Sequence, residues 1–389
     1  MKKDLKILKV DYVIIGAGTI GLFLFNELKR LKKTVILIER GSKKASIKKT
    51  RDILSKGKHH KGTFLKRAFG MGGNSTLWGG QLVEFLDQDL AKERYDLGFK
   101  KNELRQLYSQ LYKIFNIKKV SSEQYLKQNS IKFNGRDVKY FFSNWLREPN
   151  FAKYYENILQ KNSDDIFLNT EIRQLNLSNR NIKSIEIIKK NKKISINTKN
   201  CVVTMGTIET IKFFLNNKKL IIKKNLIGKY FQDHLGIYVG KVDVIDKKKF
   251  SRFFENGLMN KSKYQPKLFY QEIKKNFSLG ASGEFKFYSK NDTYIYKLKN
   301  HIKKFMRYKK IQDLSSIILL SIKLNKKIFS LIYAYFFNKK IKSFYDKGIK
   351  FYIQSEQIPL RRSNLKFDSS KKKFILDWKI DGKELKFLK

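Results

Sequence analysis

The chain of 389 residues is too long for one simple core and predicts two domains that share an interface. Its hydrophobic fraction of 41% excludes a disordered chain, whereas its formal charge of +51 first indicates a nucleic-acid partner. Because lysines are scattered through every region and arginine is scarce, we expect no nucleic-acid partner. Asn and Ile are also plentiful, so we attribute the charge to the codon composition of an AT-rich genome.

A βαβ unit opens the chain. The apolar run Tyr12–Ile15 is typical of a buried parallel strand, residues 20–31 have helical spacing of Leu and Phe, and residues 34–38 form a second strand. Between the first strand and the helix, the segment Gly-Ala-Gly-Thr-Ile-Gly at 16–21 matches GxGxxG in the context that a dinucleotide-binding turn requires.

Each glycine of this turn has a predicted task. Gly16 makes the tight turn, Gly18 lets the backbone approach a pyrophosphate, and Gly21 permits close packing of helix and strand. Glu39, at the end of the second strand, is placed to bind ribose hydroxyls, and its charge disfavours NADP. The motif leaves FAD and NAD open. The residues predicted to bind the cofactor here are Gly16, Gly18, Thr19, Ile20, Gly21, Glu39 and Arg40.

A second glycine-rich segment, at residues 67–80, is the most specific feature of the sequence. Its glycines let the chain pass flat against a large planar ligand, and it offers the polar side chains of residues 74–76. The alternative is a flexible surface loop. Trp78 argues against it, because tryptophan is a residue type that is usually buried. We predict ligand contacts from Gly72, Gly73, Asn74, Ser75 and Trp78.

The rest of the chain predicts an α/β protein. Residues 42–69 resemble a long connection, residues 100–160 are mainly helical, and strands follow at 166–168, 172–177, 182–188, 193–197 and 201–205, with a hairpin turn at 189–192. From residue 237 the pattern is mostly β. A helical interruption at 300–345 is expected to cover one face of an antiparallel sheet, and strands at 349–354, 363–367 and 373–379 close the chain.

Two features bear on the compartment. The single cysteine, Cys201, cannot form an internal disulfide, which favours a cytoplasmic protein. The most apolar stretch, residues 314–337, is interrupted by Lys323, Lys326 and Lys327, so no run approaches the roughly 20 apolar residues of a transmembrane helix. An amphipathic helix that makes the protein peripheral at a membrane remains the alternative.

The two glycine motifs together resemble the glucose–methanol–choline (GMC) family of oxidoreductases, flavoproteins that oxidise alcohols. Further segments are similar to family landmarks in the family's order over almost the whole chain: Thr170–Ile172, Cys201–Thr210 with its Ile-Glu-Thr, Gly228–His234, Glu356–Pro359 and Leu376–Trp378. Each short match is weak by itself, whereas the occurrence of all of them in the family's order is specific for the family. The sequence of residues 74–80 is most similar to that of the bacterial sugar and polyol dehydrogenases of this family.

The resemblance implies FAD as the cofactor, with Ile172 and Gly206 added to the predicted contacts. It implies a Rossmann-like FAD-binding domain at 1–236, discontinuous in type with a helical insert at about 86–160. An α+β substrate-binding domain with an antiparallel sheet would follow at 237–389. The implied reaction is hydride transfer from the CH–OH group of an alcohol, sugar or polyol to the flavin, with the electron acceptor left open.

The resemblance also implies a histidine base from a segment after the Asp-Trp strand, which ends about ten residues before Lys389. The histidines, at 59, 60, 234 and 301, do not match that position, so the catalytic residues stay unknown and no metal site is predicted. We expect the 389-residue chain not to turn over alcohols alone. The alternatives are a non-catalytic flavin-binding fragment, a subunit that needs a partner chain to supply the missing segment, and an NAD-dependent dehydrogenase.

Overall fold

The computed structural model shows a mixed α/β protein, and its description covers most of the chain. The described residues are 6–47, 53–56, 67–85, 100–128, 138–179, 181–189, 192–220, 225–259, 262–274, 277–290, 292–308, 311–324 and 326–388. The predicted hairpin turn at 189–192 and the histidine pair at 59 and 60 lie wholly or partly outside these ranges.

The strands have the following bounds: β1 Lys6–Lys9, β2 Tyr12–Ile15, β3 Val35–Ile38, β4 Ser46–Ile47, β5 Ile53–Ser55, β6 Ala68–Phe69, β7 Gln81–Leu82, β8 Val138–Trp145, β9 Ile166–Phe167, β10 Glu171–Ser178, β11 Asn181–Lys189, β12 Lys192–Asn197, β13 Asn200–Val203, β14 Leu235–Val242, β15 Asn256–Met259, β16 Ser262–Lys274, β17 Phe277–Phe287, β18 Lys340–Ile341, β19 Ile349–Ser355, β20 Asn364–Asp368 and β21 Lys373–Asp377.

The helices have the following bounds: α1 Thr19–Arg30, α2 Lys101–Ile114, α3 Ser122–Gln128, α4 Phe151–Tyr154, α5 Glu156–Lys161, α6 Gly206–Asn216, α7 Lys247–Phe254, α8 Asp292–Tyr308, α9 Ile311–Leu324, α10 Lys326–Phe336 and α11 Gly382–Phe387. A 3-10 turn occupies Gly73–Thr76 in the second glycine motif.

A parallel sheet of order β13-β2-β3-β9 lies at the centre of the first half of the chain. Because side chains alternate along a strand, Ile14 and Leu37 pack under α1 with Leu22 and Phe25. The other face packs on a second sheet, of order β1-β12-β11-β10. This burial on both faces explains the continuous apolar runs of β2 and β3 in the sequence.

The largest sheet runs β14-β19-β17-β16-β15-β18, and its pairings are antiparallel. The strand β8 also pairs with β16, from Tyr264 opposite Asn144 to Tyr270 opposite Val138. Residues 138–145 therefore form a strand within the segment that the sequence predicted as mainly helical. The cause is tertiary: the aromatic run of β8 is stabilised by a partner more than 100 residues away.

The last two predicted strands form, but not where the sequence placed them. The hairpin β20-β21 pairs in parallel with β5 instead of joining the large antiparallel sheet. Ile53 of β5 is buried against Leu365 and Leu376 in this small core. Residues 53–55, expected within a long connection, thus supply the partner that the hairpin needs.

The helical interruption begins at Asp292 and ends at Phe336. Within it, α8 and α9 pack on each other through Leu298, Leu320 and Leu324. An apolar face of the large sheet is instead contacted by α7, whose Phe254 ring lies 4.4 Å from that of Phe285. The expectation that the helices of 300–345 cover one face of an antiparallel sheet stays a prediction.

No helix in the described ranges combines the length and the apolar character that crossing a bilayer requires.

Candidate functional site

A cleft of about 750 Å³ opens beside the ends of β2, β3 and β13. This is the carboxyl edge of the parallel sheet, where open α/β proteins bind ligands, and the volume is within the range of small-molecule sites. The lining comes from residues in segments 15–20, 38–40, 67–74, 170–172, 204–216 and 231–233.

The glycines of the first turn have different surroundings. Gly16 has φ +104°, and a Cβ there would lie 2.8 Å from the Thr204 carbonyl oxygen. A Cβ on Gly21 would lie 1.9 Å from the Gly16 carbonyl oxygen. At Gly18 the nearest protein atom would be 3.8 Å away. Gly16 and Gly21 are therefore required by the fold, whereas the space beside Gly18 is left free by the protein.

Two helices begin at this cleft. Gly18 is the N-cap of α1, no side chain caps this end, and Thr19 and Ile20 of its first turn line the cleft. Gly206 and Ile208, in the first turn of α6, line it too. The first N–H groups of a helix lack intrahelical acceptors and carry partial positive charge, so both ends favour an anionic ligand.

The second glycine motif lies directly against the first. The Gly72 N–H donates to the Ala17 carbonyl oxygen at 2.9 Å, and a Cβ on Gly73 would lie 3.0 Å from the Gly18 Cα. Gly73 and Asn74 line the cleft, and the Asn74 Oδ1 accepts a hydrogen bond from the Ala68 N–H at 2.9 Å. Two motifs separated by about fifty residues thus form adjacent walls.

Other predicted members of this motif hold the loop and do not line the cleft. Ser75 is 1% exposed, and its Oγ donates to the Gly72 carbonyl at 2.6 Å and accepts from the Phe151 N–H at 3.0 Å. Gly72 has φ +92°, and a Cβ there would lie 2.8 Å from the Asn150 Oδ1. Trp78 is 37% exposed and donates to the Pro149 carbonyl, so its interpretation as a buried residue was wrong.

Glu39 is buried and bound to three loops. Its Oε2 accepts from the Ala17 N–H at 2.8 Å, and its Oε1 accepts from the N–H groups of Gly41 at 2.7 Å and Gly70 at 3.0 Å. The carboxylate lines the cleft, yet much of its accepting capacity is used by the backbone. The sequence predicted a ribose ligand here and missed this bridging role, because two of the three donors are backbone groups 22 and 31 residues away.

A charged cluster that sequence reasoning missed lies at the same cleft. Glu209, in the first turn of α6, bonds the Arg67 Nη1 at 2.5 Å and lies 3.5 Å from an Arg40 nitrogen and 3.4 Å from the Lys212 Nζ. The Arg40 guanidinium also stacks on the Phe69 ring at 4.4 Å. The only sequence signal was the Ile-Glu-Thr motif, which does not indicate that Arg40, Arg67 and Lys212 surround Glu209.

Two further predicted contacts reach the cleft. Ile172 lines it at the start of β10, beside Thr170 and Glu171. Gly206 has φ +74°, and no protein atom lies within 4 Å of the position of its missing Cβ. The positive φ favours glycine at this position, and the protein leaves the space beside it free.

The Gly228–His234 segment borders the cleft at Phe231, Gln232 and Asp233. It is tied to the C-terminal strands by Gln357, whose Oε1 accepts from the Asp233 N–H and from the Trp378 Nε1–H, each at 2.8 Å. These family-like segments are therefore joined in space as well as ordered in sequence.

The described histidines, His234 and His301, are not among the residues that line the cleft. His301 hydrogen-bonds Asp313 at 2.8 Å between α8 and α9, and His234 is exposed. Among the residues that the structure describes, no three His, Cys, Asp or Glu side chains come together as a metal site would need.

Comparisons with known proteins show only distant structural likeness. No protein-family model and no curated protein matches the chain. Among solved structures, pyridoxine 4-oxidase from Mesorbium loti is 13% identical, with 71% of this chain and 66% of that chain covered and a TM-score of 0.44. L-amino acid deaminase from Proteus vulgaris is 11% identical, with 68% of this chain and 62% of that chain covered and a TM-score of 0.34. A fungal aryl-alcohol oxidase is 13% identical, with 65% of this chain and 56% of that chain covered and a TM-score of 0.36. The chain covers less than two thirds of each of these structures.

Proposed function

We propose that the chain binds FAD and is an oxidoreductase of GMC type that acts on the CH–OH group of an alcohol, sugar or polyol. The observation that carries the proposal is the contact between the two glycine motifs, from the Gly72 N–H to the Ala17 carbonyl at 2.9 Å. A dinucleotide turn alone leaves FAD and NAD open, whereas a second glycine wall beside it fits a larger, planar cofactor.

The residues of the cleft fit this cofactor. The free space at Gly18 and the uncapped end of α1 suit a pyrophosphate, since backbone N–H groups can approach it closely. The open side of Gly206 and the Ile172 side chain, which line the same cleft, suit a flat ring. Glu39 can accept a ribose hydroxyl only with the capacity that its three backbone donors leave free.

The proposal divides the chain into a Rossmann-like FAD-binding domain at 1–236 and a substrate-binding domain at 237–389. It is supported by the parallel sheet around β2 and by the antiparallel sheet around β16. Pairing of β8 with β16 and of β5 with β21 means that two strands of the first sequence half join sheets formed by strands of the second half. The substrate would then lie between segments that are distant in sequence.

When bound, FAD would supply the hydride acceptor, which protein side chains alone cannot provide. The chain's own residues would bind and orient it: the ends of α1 and α6 hold negative charge, and Gly73 with Asn74 forms the wall beside Gly18. We propose no catalytic base among the described residues, because His234 and His301 do not line the cleft.

Purified protein, loaded with FAD and freed of excess, tests the proposal by flavin absorbance at stoichiometric occupancy. Retention of FAD is the expected result. Anaerobic loss of that absorbance with one member of an alcohol, sugar and polyol panel, and its return with a dye acceptor, would show that the chain oxidises this substrate by itself and would overturn the expectation that it does not turn over alcohols alone. Failure to retain FAD, together with saturable NADH binding, would replace the proposal with the NAD-dependent dehydrogenase.

A second candidate is a flavin-binding subunit that needs a partner chain for catalysis. It is favoured by the positions of His234 and His301 outside the cleft lining. Stoichiometric FAD without reduction by any substrate of the panel would support it, and reduction after addition of a partner chain would identify the missing component.

A further inference from the structure

The helices α9 and α10 expose apolar side chains that the rest of the protein leaves uncovered. One face of α9 packs on α8 through Leu320 and Leu324. Its opposite face presents Ile311, 82% exposed, and Ile322, 69% exposed, with Leu314, Ile318 and Leu319 also exposed between them. The spacing of these residues follows the helical period, so they form one stripe along the helix.

The next helix repeats the arrangement. In α10, Phe329 is 72% exposed, and Ile332, Tyr333 and Phe336 follow it at helical spacing, each about half exposed or more. Phe337, directly after the helix, is 72% exposed. Isolated exposed apolar residues are ordinary in proteins, but two consecutive stripes with aromatic residues indicate an interaction surface.

Basic residues outnumber acidic ones around these stripes, and the acids at their edge are paired: Asp346 lies 3.4 Å from the Lys327 Nζ, and Glu255 lies 3.5 Å from the Lys342 Nζ. Between Asp292 and Asp346 the sequence has 13 Lys and Arg residues and a single acid, Asp313, whereas the whole chain has 85 basic and 34 acidic residues. Asp313 is buried and hydrogen-bonded to His301, so it does not offset the exposed positive charge. Lys323 and Lys339 are exposed beside the stripes. General lysine richness does not explain the local lack of acids.

We propose that the α9–α10 surface, defined as the exposed apolar stripes of Ile311–Leu324 and Lys326–Phe337 with Lys323 and Lys339, docks on an anionic phospholipid membrane. Helices of 14 and 11 residues are too short to span a bilayer. Apolar stripes flanked by lysines are the pattern of helices that lie in the interface of a membrane, with the lysines at the headgroups.

A second copy of the chain is a less suitable occupant of this surface. In a symmetric dimer the same patch meets itself, so the lysines of both copies would be brought together without acids to pair them. An anionic membrane instead supplies negative charge over the whole area of the patch. The inference is independent of the proposed cofactor, because none of these residues lines the cleft.

Flotation with phospholipid vesicles tests the proposal on the full chain. Vesicles with equal phosphatidylglycerol and phosphatidylcholine should bind the protein, and pure phosphatidylcholine should not. The triple variant Ile318→Ser, Ile322→Ser, Phe329→Ser should bind about tenfold less protein to the anionic vesicles, since its apolar contact is removed. Lys323→Gln with Lys339→Gln should weaken binding and its salt dependence.

Matched controls separate the surface from the overall charge. Ile245→Ser removes a fully exposed apolar residue elsewhere, and Lys371→Gln with Lys373→Gln removes two exposed lysines elsewhere, so both should leave binding unchanged. Circular dichroism of each variant confirms folding, and Phe329→Trp should show a blue-shifted emission on anionic vesicles only.

Equal binding of the triple variant and the unchanged chain would overturn the proposal, because charge alone would then explain the attraction. A dimer in sedimentation that the triple variant dissociates, together with no vesicle binding by the unchanged chain, would assign the surface to a second copy and overturn it as well.

Discussion

At the scale of single residues, the glycines of the first turn differ in what excludes a side chain. Gly21 has the Gly16 carbonyl oxygen 1.9 Å from its missing Cβ, whereas Gly18 has free space and an ordinary backbone conformation, with φ −80°. The GxGxxG pattern treats both as equal. The structure separates a glycine needed for packing from a glycine available to a ligand.

Gly18→Asp should leave the free energy of unfolding unchanged or raise it, because Asp is a favourable N-cap for α1. The same carboxylate should lower FAD affinity by about 100-fold, since it would repel the pyrophosphate. Gly21→Ala should instead destabilise the protein by about 1–3 kcal/mol through overpacking. Urea unfolding and flavin titration measure both effects, and lost stability in Gly18→Asp would contradict the assignment.

Burial raises the pKa of the Cys201 thiol to about 12. Only the thiolate reacts, and at pH 8 a pKa about three units above the ordinary value lowers the thiolate fraction by about a thousandfold. We expect slow reaction with a disulfide reagent in the native protein, faster reaction as the pH rises, and an ordinary rate in denaturant. Since Cys201 is the only cysteine, a fast native reaction would contradict its burial.

At the scale of elements, Glu39 joins three loops that the sequence leaves unconnected. The turn before α1, the segment after β3 and the second glycine motif each donate one backbone N–H to its carboxylate. Charged acceptors make strong hydrogen bonds, and removal of such an acceptor leaves buried donors unpaired. The walls of the cleft are thus held in place by the residue predicted to bind the ribose.

Glu39→Gln should lower the free energy of unfolding of the protein without FAD by about 1–3 kcal/mol, because an amide nitrogen cannot accept these bonds. Glu171→Gln, at an exposed carboxylate 3.9 Å from Arg40, is the matched control and should change stability little. If Glu39→Gln lost only FAD affinity and no stability, Glu39 would serve the ligand alone and the bridging role would be refuted.

At the scale of the whole molecule, pairings between distant segments connect the two sequence halves. The parallel pairing of β21 with β5 and the antiparallel pairing of β16 with β8 each join residues more than 100 positions apart. Gln357 adds a polar connection between the cleft border at Asp233 and the C-terminal Trp378. We therefore expect the two sequence halves to unfold together in one transition.

Gln357→Met removes the acceptor of the Asp233 N–H and the Trp378 Nε1–H while it keeps a similar volume. We expect a loss of about 1–3 kcal/mol in the free energy of unfolding for each donor left buried. Urea unfolding followed by tryptophan emission measures it, with Gln312→Met as the exposed control. Wild-type stability in Gln357→Met would show that solvent reaches both donors.

The sequence by itself determined the features that depend on neighbouring residues. The βαβ start, the order of β9 to β13 and the positions of both glycine motifs follow from local periodicity and from backbone conformations that only glycine adopts easily. Gly18, Gly73, Asn74, Ile172 and Gly206 were predicted at the site and line the cleft. Their role toward FAD stays a prediction.

Only the tertiary structure decided the features that depend on distant partners. The strand β8 is set by its pairing with β16, the bridging role of Glu39 by three backbone donors, and the setting of Glu209 by cations from two other segments. A local pattern contains no information about which residues folding brings together. Long-range pairing and burial, which stabilise one arrangement of the whole chain, therefore override or complete what the local pattern predicts.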